Sequence, residues 1–417
     1  MRLIDVNSFI NFDARKAGPE TKLLVDISGT RLEETEYAIL SHCWEEPAEE
    51  VQYTEMAGLT SMPAAALDEI RERLGYKKIL ESSRQALHDD LEWLWVDTCC
   101  IDKQSSAELS EALNSMYAWH ANADRCYALL HDIDAPSLPA QPDDKKFSES
   151  NGWPKWFSRG WTLQELIAPE NVHFFNRNWV FIADKQSCAA ALNTITRISV
   201  DVLEKGLGGT SPSVAQVMSW AADRKTTREE DRAYSLMGLF GVHMPMLYGE
   251  GKNAFLRLQL EVIRLTNDQS IFAWGWTRDT GWASSFLADD PTCFRDCSNI
   301  IQMVHSDFIG ALKKCLPKKE LRKLMSAEGH FQTFTVTNHG IQIWLPRQAL
   351  KHDSSSSASE LFSVMLACCE VGKASGPITV TMERFGPNYS RFFYCCPAVS
   401  WNQKSPAVEF QQIFLPC

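Results

Sequence analysis

The strongest constraint on this chain is an alternation of apolar runs and amphipathic helices in its first half. Tyr37 to Ser41 (YAILS) reads as a strand and ends in His42-Cys43-Trp44; a polar, Pro-containing loop from Glu45 to Pro63 follows. A helical stretch covers about Lys77 to His88. Leu91 to Ile101 (LEWLWVDTCCI) is a second apolar run that reads as a buried strand. Ser105 and Ser106 are good caps for a helix from about Ala107 to Ala121, where Leu109, Leu113, Met116 and Tyr117 recur at spacings of three and four. Glu108, Glu111 and His120 fall on its polar side and read as a solvated face. Arg125 to Leu130 (RCYALL) is a third strand and Val172 to Phe175 a fourth.

Strand, helix, strand, helix, strand predicts a mostly parallel, doubly wound α/β sheet covered on both faces. Such sheets bind ligands outside the carboxyl ends of their strands. Those ends are Ser41 to Trp44, Asp97 to Asp102, and His131-Asp132, all rich in polar side chains. After the third strand comes a Pro- and Asp-rich loop, 134–151, of the length of a lid or binding loop. The helix that carries Trp161 and Glu165 stops before Pro169. Added helices follow over residues 184–267, with Gly241 closing one that Thr226 or Thr227 opens. From about residue 277 the texture changes. Gln332 to Leu345, Leu361 to Glu370 and Ile378 to Tyr394 read as strands, broken by Asn338-His339-Gly340, Gly386-Pro387-Asn388 and a Ser354 to Ser357 loop. The expected layout is an α/β core over 35–183, a helical extension over 184–276, and a small antiparallel β-rich domain over 277–417.

With 417 residues, 45% hydrophobic and 23% charged, the chain is long enough for two or three domains with full cores. A net charge of −12 argues against nucleic acid unless a local basic patch exists. The densest cluster (Lys313, Lys314, Lys318, Lys319, Arg322, Lys323) mixes with Leu at helical spacing, as a solvated helix face does. No secretory signal and no membrane-length apolar window is present, so a cytoplasmic placing with reduced thiols is expected. The 13 cysteines form no CxxC pair, and no metal site or bound cofactor is expected.

Glu165 is the leading chemical candidate. It stands four residues after Trp161 on one helical face, while Leu163, Leu166 and Ile167 face the sheet. A carboxylate beside an indole near strand ends is partly desolvated and able to stabilise a cation; the plainer reading is a surface Glu paired with Arg159 or solvent. His42 with Cys43 or Cys100 has the makings of a nucleophilic pair, against the more ordinary reading of two core thiols and a loop-bonded histidine. Asp97 and Asp102 suit either a ligand hydroxyl or the cap of the following helix. Gly249-Glu-Gly251-Lys252 fails as a phosphate loop, because Met246 stands where a Gly is needed and Asn253 where Ser or Thr is needed.

SHCW at 41–44, WVDTCCIDK at 95–103, SSAELSEALNSMYAW at 105–119 and SRGWTLQEL at 158–166 together resemble the fungal heterokaryon-incompatibility (HET) domain. RKTTREEDRAYSLMGLFGV at 224–242, MPMLYGEG at 244–251 and SIFAWGW at 270–276 look like its usual continuation, so the resemblance runs over residues 1–276. It implies a role in non-self recognition and programmed cell death, with self-association and an upstream receptor as expected partners. The segment from Ser158 to Leu166 is also similar to the S-x-W-C-x-x-E-L motif of TIR domains, with one inserted residue and Thr162 in place of the Cys. That second resemblance implies a TIR-like fold and cleavage of NAD, or a related nucleotide, as substrate. Glu165 would then be the catalytic carboxylate. Ser41, His42, Asp97, Asp102 and Arg159 would contact ribose and phosphate, and Trp44 or Trp161 would stack on a ring. The competing expectation is a non-enzymatic module that signals by self-association.

Overall fold

The computed structural model describes residues 1–16, 20–275, 282–283, 285–326, 333–338, 340–349, 359–372, 376–385, 389–393 and 408–415. The chain divides into two compact units. The first comprises Met1–Thr210, Arg224–Thr227 and Ser235–Met246; the second comprises Ser211–Asp223, Arg228–Tyr234 and Leu247–Cys417.

The first unit is built on a seven-stranded sheet. Its strands are β1 (Arg2–Asp5), β2 (Leu24–Asp26), β3 (Ala38–His42), β4 (Trp93–Val96), β5 (Arg125–Leu130), β6 (Val172–Asn176) and β7 (Phe181–Asp184), in the order β2-β1-β4-β3-β5-β6-β7. The middle four, β4-β3-β5-β6, are parallel, and the outer strands on both sides are antiparallel. The mixed α/β class and the mostly parallel centre are as the apolar runs predict. Every residue of β3 is buried, as a strand covered on both faces requires. The amino-terminal strands are an addition that no pattern announced, because β1 has only four residues and β2 three. Leu3 and Ile4 are nonetheless fully buried between their neighbours.

Three helices make the crossovers between parallel strands: α1 (Leu74–His88), α2 (Ser106–Ala121) and α3 (Thr162–Ile167). Ser105 caps α2, its hydroxyl accepting from the Glu108 amide at 3.3 Å. His120 corrects the sequence reading of that helix. It is buried, with Nδ1 2.9 Å from the Met116 carbonyl and its ring edge-on to Trp95 at 5.8 Å. Burial holds its pKa down, at about 4. Helix α3 buries Leu163, Leu166 and Ile167 as expected. The Lys185 ammonium donates to the carbonyls of Leu166 and Pro169, where the negative end of the helix dipole favours a cation. The 134–151 loop folds on itself: the Asp143 amide donates to the Gly152 carbonyl at 2.8 Å, and Phe147 is buried. Residues 226–241 form two four-residue helical turns, Asp231–Tyr234 and Met237–Phe240, instead of one helix, and Gly241 closes the second with φ 64°.

The second unit contains helices Val214–Ala221, Asn253–Leu265, His305–Cys315 and Lys318–Ser326 beside antiparallel strands. Its larger sheet includes β8 (Gly340–Ala349), which pairs along its length with the strand Val408–Leu415. Phe308, Ile309, Leu312, Leu316 and Met365 form a small core, while Lys313, Lys314, Lys318 and Lys319 are exposed, the solvated face that their spacing predicts. The Ser354 to Ser357 loop, the Gly386-Pro387-Asn388 turn and His339 lie outside the described residues. Gly249 and Gly251 take positive φ (105° and 57°) before Asn253–Leu265, and both amides donate to Glu230 Oε1, at 2.7 and 3.1 Å. A carboxylate of the chain thus sits on the donors that a phosphate would need. Among the described residues no helix is long and apolar enough to cross a membrane, and no group of three or more His, Cys, Asp or Glu side chains is placed to hold a metal.

Candidate active site

In chain order the parallel strands lie second, first, third, fourth, one of the common doubly wound orders. Folds of this order bind ligands outside the carboxyl ends of the first and third strands, which here are β3 and β5. Ser41, next to the last residue of β3, is paired across that boundary with Ala128 of β5. Its buried Oγ accepts from Trp156 Nε1 at 2.8 Å and donates to Glu165 Oε2. The Glu165 carboxylate is therefore turned inward to the strand end, while the residue keeps part of its surface exposed.

The chain around Glu165 is fixed from several sides. Trp156 is fully buried, edge-on to Phe157 at 5.1 Å and to Phe174 at 5.7 Å. Thr162 Oγ1 donates to the carbonyls of Trp156 (2.5 Å) and Arg159 (3.0 Å), and the buried Arg224 donates to the Arg159 carbonyl (2.8 Å) and Thr162 Oγ1 (2.9 Å). The Gly160 amide bonds the Lys225 carbonyl at 2.9 Å. A Cβ at Gly160 would lie 2.4 Å from Thr226 Cγ2, so only glycine permits this approach. Trp161 begins the helix half-buried.

Burial pushes the Glu165 carboxyl up to about 7; the Ser41 hydrogen bond and the charges of Arg159 and Arg224 pull it down, and the Asp97 charge adds to the rise. Arg224 is in turn lowered to about 9 by burial, against the attraction of Glu165. The Arg159 guanidinium makes no hydrogen bond or ion pair among the described residues, leaving a half-buried cation in electrostatic reach of the carboxylate. Asp97 Oδ2 accepts from Trp44 Nε1 at 2.8 Å, while its buried Oδ1 has no hydrogen-bond partner among the described residues. Lys103 Nζ covers one face of the Trp44 ring at 3.8 Å, and the indole remains 45% exposed. Trp44 is thus an anchored, open aromatic plate of the kind that bases and pyridine rings stack on.

Two residues of the expected set are engaged elsewhere. His42 is buried with Nε2 3.6 Å from Glu50 Oε1, and Glu50 also takes the Lys78 ammonium at 3.4 Å and the Glu45 amide at 2.7 Å. Asp102 accepts from the Gln104 amide at 3.0 Å and belongs to the turn before α2. The thiol–histidine pair finds no support, since burial pushes the Cys43 thiol up to about 12, away from the reactive thiolate. Trp156, Arg224, Glu50 and Lys78 were not singled out from sequence. Lys78 carried a usable signal, a cation beside Ile79 on the side of α1 that the periodicity buries.

Residues 37–153 match the family described as heterokaryon incompatibility protein (HET). Residues 37–153 thus form a HET domain. The match ends before Glu165. The chain is 43% identical over 228 residues to vegetative incompatibility protein HET-E-1 of Podospora anserina, covering 54% of this chain and 16% of that protein. The chain therefore spans about a sixth of the length of the relative it matches. Residues 253–368, inside the second unit, match a domain of unknown function (DUF8212). No solved structure matches the chain.

Proposed function

We propose that this HET-domain protein acts in heterokaryon incompatibility, the non-self response named in its relative, by hydrolysing NAD at the nicotinamide–ribose bond. One observation carries the chemistry: a carboxylate drawn inward at the open end of a parallel sheet, held by a strand-end hydroxyl, with a free guanidinium nearby. The parallel-strand order and the likeness of residues 158–166 to the TIR motif support the same reading.

The reaction suits a single carboxylate. The C1′–N bond breaks with its electron pair going to the pyridinium nitrogen, so nicotinamide leaves neutral and needs no general acid. Positive charge develops on ribose C1′, where the Glu165 carboxylate stabilises it. Water then adds to C1′ and loses a proton, giving ADP-ribose. An ordinary glycosidase, by contrast, needs a second carboxyl to protonate its leaving group. Arg159 is the group for the diphosphate, Asp97 Oδ1 for a ribose hydroxyl, and Trp44 for the ring. Self-association and a receptor upstream of the chain remain part of this proposal.

The test is loss of NAD from purified protein, with release of nicotinamide followed by chromatography. Glu165→Gln should lower turnover at least about 100-fold, the size typical of removing a preorganised electrostatic group. Because the carboxylate is the active form, activity should rise with pH through about 7. Full cell killing by Glu165→Gln would instead support the non-enzymatic, self-associating module.

A further inference from the structure

The direction of each hydrogen bond around Ser41 is fixed by elementary donor chemistry. An indole N–H can only donate, so at 2.8 Å Trp156 Nε1 occupies a lone pair of Ser41 Oγ. A hydroxyl has one proton, and Glu165 Oε2 is the acceptor within reach of it. Ser41 is 1% exposed and Trp156 is fully buried, so water does not offer either group an alternative partner. Protonation of Oε2 would leave two hydrogens facing each other across one short contact, or strand the serine proton in a buried site. Oε2 is therefore committed as an acceptor. Glu165 Oε1 makes no hydrogen bond among the described residues, and Glu165 retains part of its surface.

We infer that Trp156 is a positioning residue, which through Ser41 reserves Oε2 of Glu165 as a permanent acceptor and leaves Oε1 as the oxygen that meets the ligand's developing cation. The inference rests on the hydrolase reading for the identity of the ligand, but the relay from indole to hydroxyl to carboxylate belongs to the resting protein. It makes the aromatic cage of Phe157 and Phe174 part of the site, because those rings hold the indole that aims the serine. It also separates two duties in one side chain. One oxygen is anchored by the sheet and the other is offered to the crevice.

The full chain labelled with δ-¹³C glutamate and ¹⁵N indole tests this by NMR, with Glu165→Gln and Trp156→Phe assigning the signals. In the unmutated protein the Trp156 indole N–H should shift with the midpoint of the Glu165 carboxyl, and this response should vanish in Glu165→Gln. A Trp156 resonance indifferent to Glu165 ionisation overturns the relay without any variant having to fold. Trp156→Phe keeps most of the ring and removes the donor, so the Glu165 midpoint should rise by about one pH unit as the hydroxyl is freed to turn away. Ser41→Ala should raise it as much or more, and the double variant should match Ser41→Ala alone, since Trp156 acts only through Ser41. Additive shifts would show that Trp156 acts by another route and refute the inference. If NAD is a substrate, Trp156→Phe should lower kcat and leave KM nearly unchanged, with the acid limb of the pH profile moving upward. A protein that shows the NMR coupling but consumes no NAD would refute the hydrolase reading and leave the relay standing.

Discussion

Replacing Glu165 by Gln should stabilise the protein, and by an amount that depends on pH. The carboxyl titrates at about 7 in the folded chain against an ordinary 4.5, chiefly because burial disfavours its charge. A group whose folded pKa is raised contributes its stability below its unfolded pKa and loses it as pH rises toward the folded one. Here the window is about 4.5 to 7. Above it, keeping Glu165 ionised in the fold costs about 3 kcal/mol, and near pH 5.5 only about 1 kcal/mol of that cost is present. Gln has the same shape and can still accept from Ser41, so it removes the charge cost while leaving the packing intact. Urea denaturation of both proteins at about pH 5.5 and about pH 8 should show the Gln variant's advantage growing by about 2 kcal/mol toward the alkaline condition. An advantage that is constant or shrinks with pH would mean that the carboxylate is well solvated. The argument for a desolvated, functional side chain at this position would then fail.

The His42, Glu50 and Lys78 cluster should behave in the opposite sense. Burial penalises the Glu50 charge, but the nearby His42 ring, the Lys78 ammonium and the Glu45 amide outweigh that penalty and hold its carboxyl at about 2. Its contribution is present above 4.5 and lost as pH falls toward 2, so Glu50→Gln should cost about 3 kcal/mol near neutrality and little in acid, measured by the same denaturation series. Gly160→Ala should cost about 2 kcal/mol or more and depress the proposed NAD turnover with it, because the new methyl meets Thr226 and forces apart the two segments that fix Thr162. Melting of the purified variant beside its nicotinamide release checks both effects; an unaltered variant would mean that the 224–227 segment is free to shift.

The parallel centre of the sheet was legible because buried parallel strands leave long apolar runs, as in β3 and β5, and because Ser105 marks the start of α2. The edge strands β1 and β2 were not, since runs of three or four residues carry no period. His120 misled for a related reason. The polar side of α2 is solvated along most of its length, but its last turn passes beneath Trp95, and helical spacing cannot report what lies opposite a single turn. Glu165, Ser41, Asp97 and Arg159 were visible as strand-end and motif residues. Trp156 and Arg224 were not, because their contribution is a donor aimed across the fold, and such a donor leaves no mark in the residues next to it in sequence. Lys78 and Glu50 are the same case in charge, a buried pair 28 positions apart in the chain.

The first unit is stitched from three separate stretches, and the 224–227 stretch carries Arg224 and Lys225, which grip the turn leading into Glu165. A fragment that ends before residue 246 therefore lacks part of this unit. A protease that severs the chain between residues 210 and 224 leaves the turn before Glu165 without Arg224 and Lys225 unless the two fragments stay joined, and a gene fusion that keeps the proposed site whole must carry the chain through residue 246.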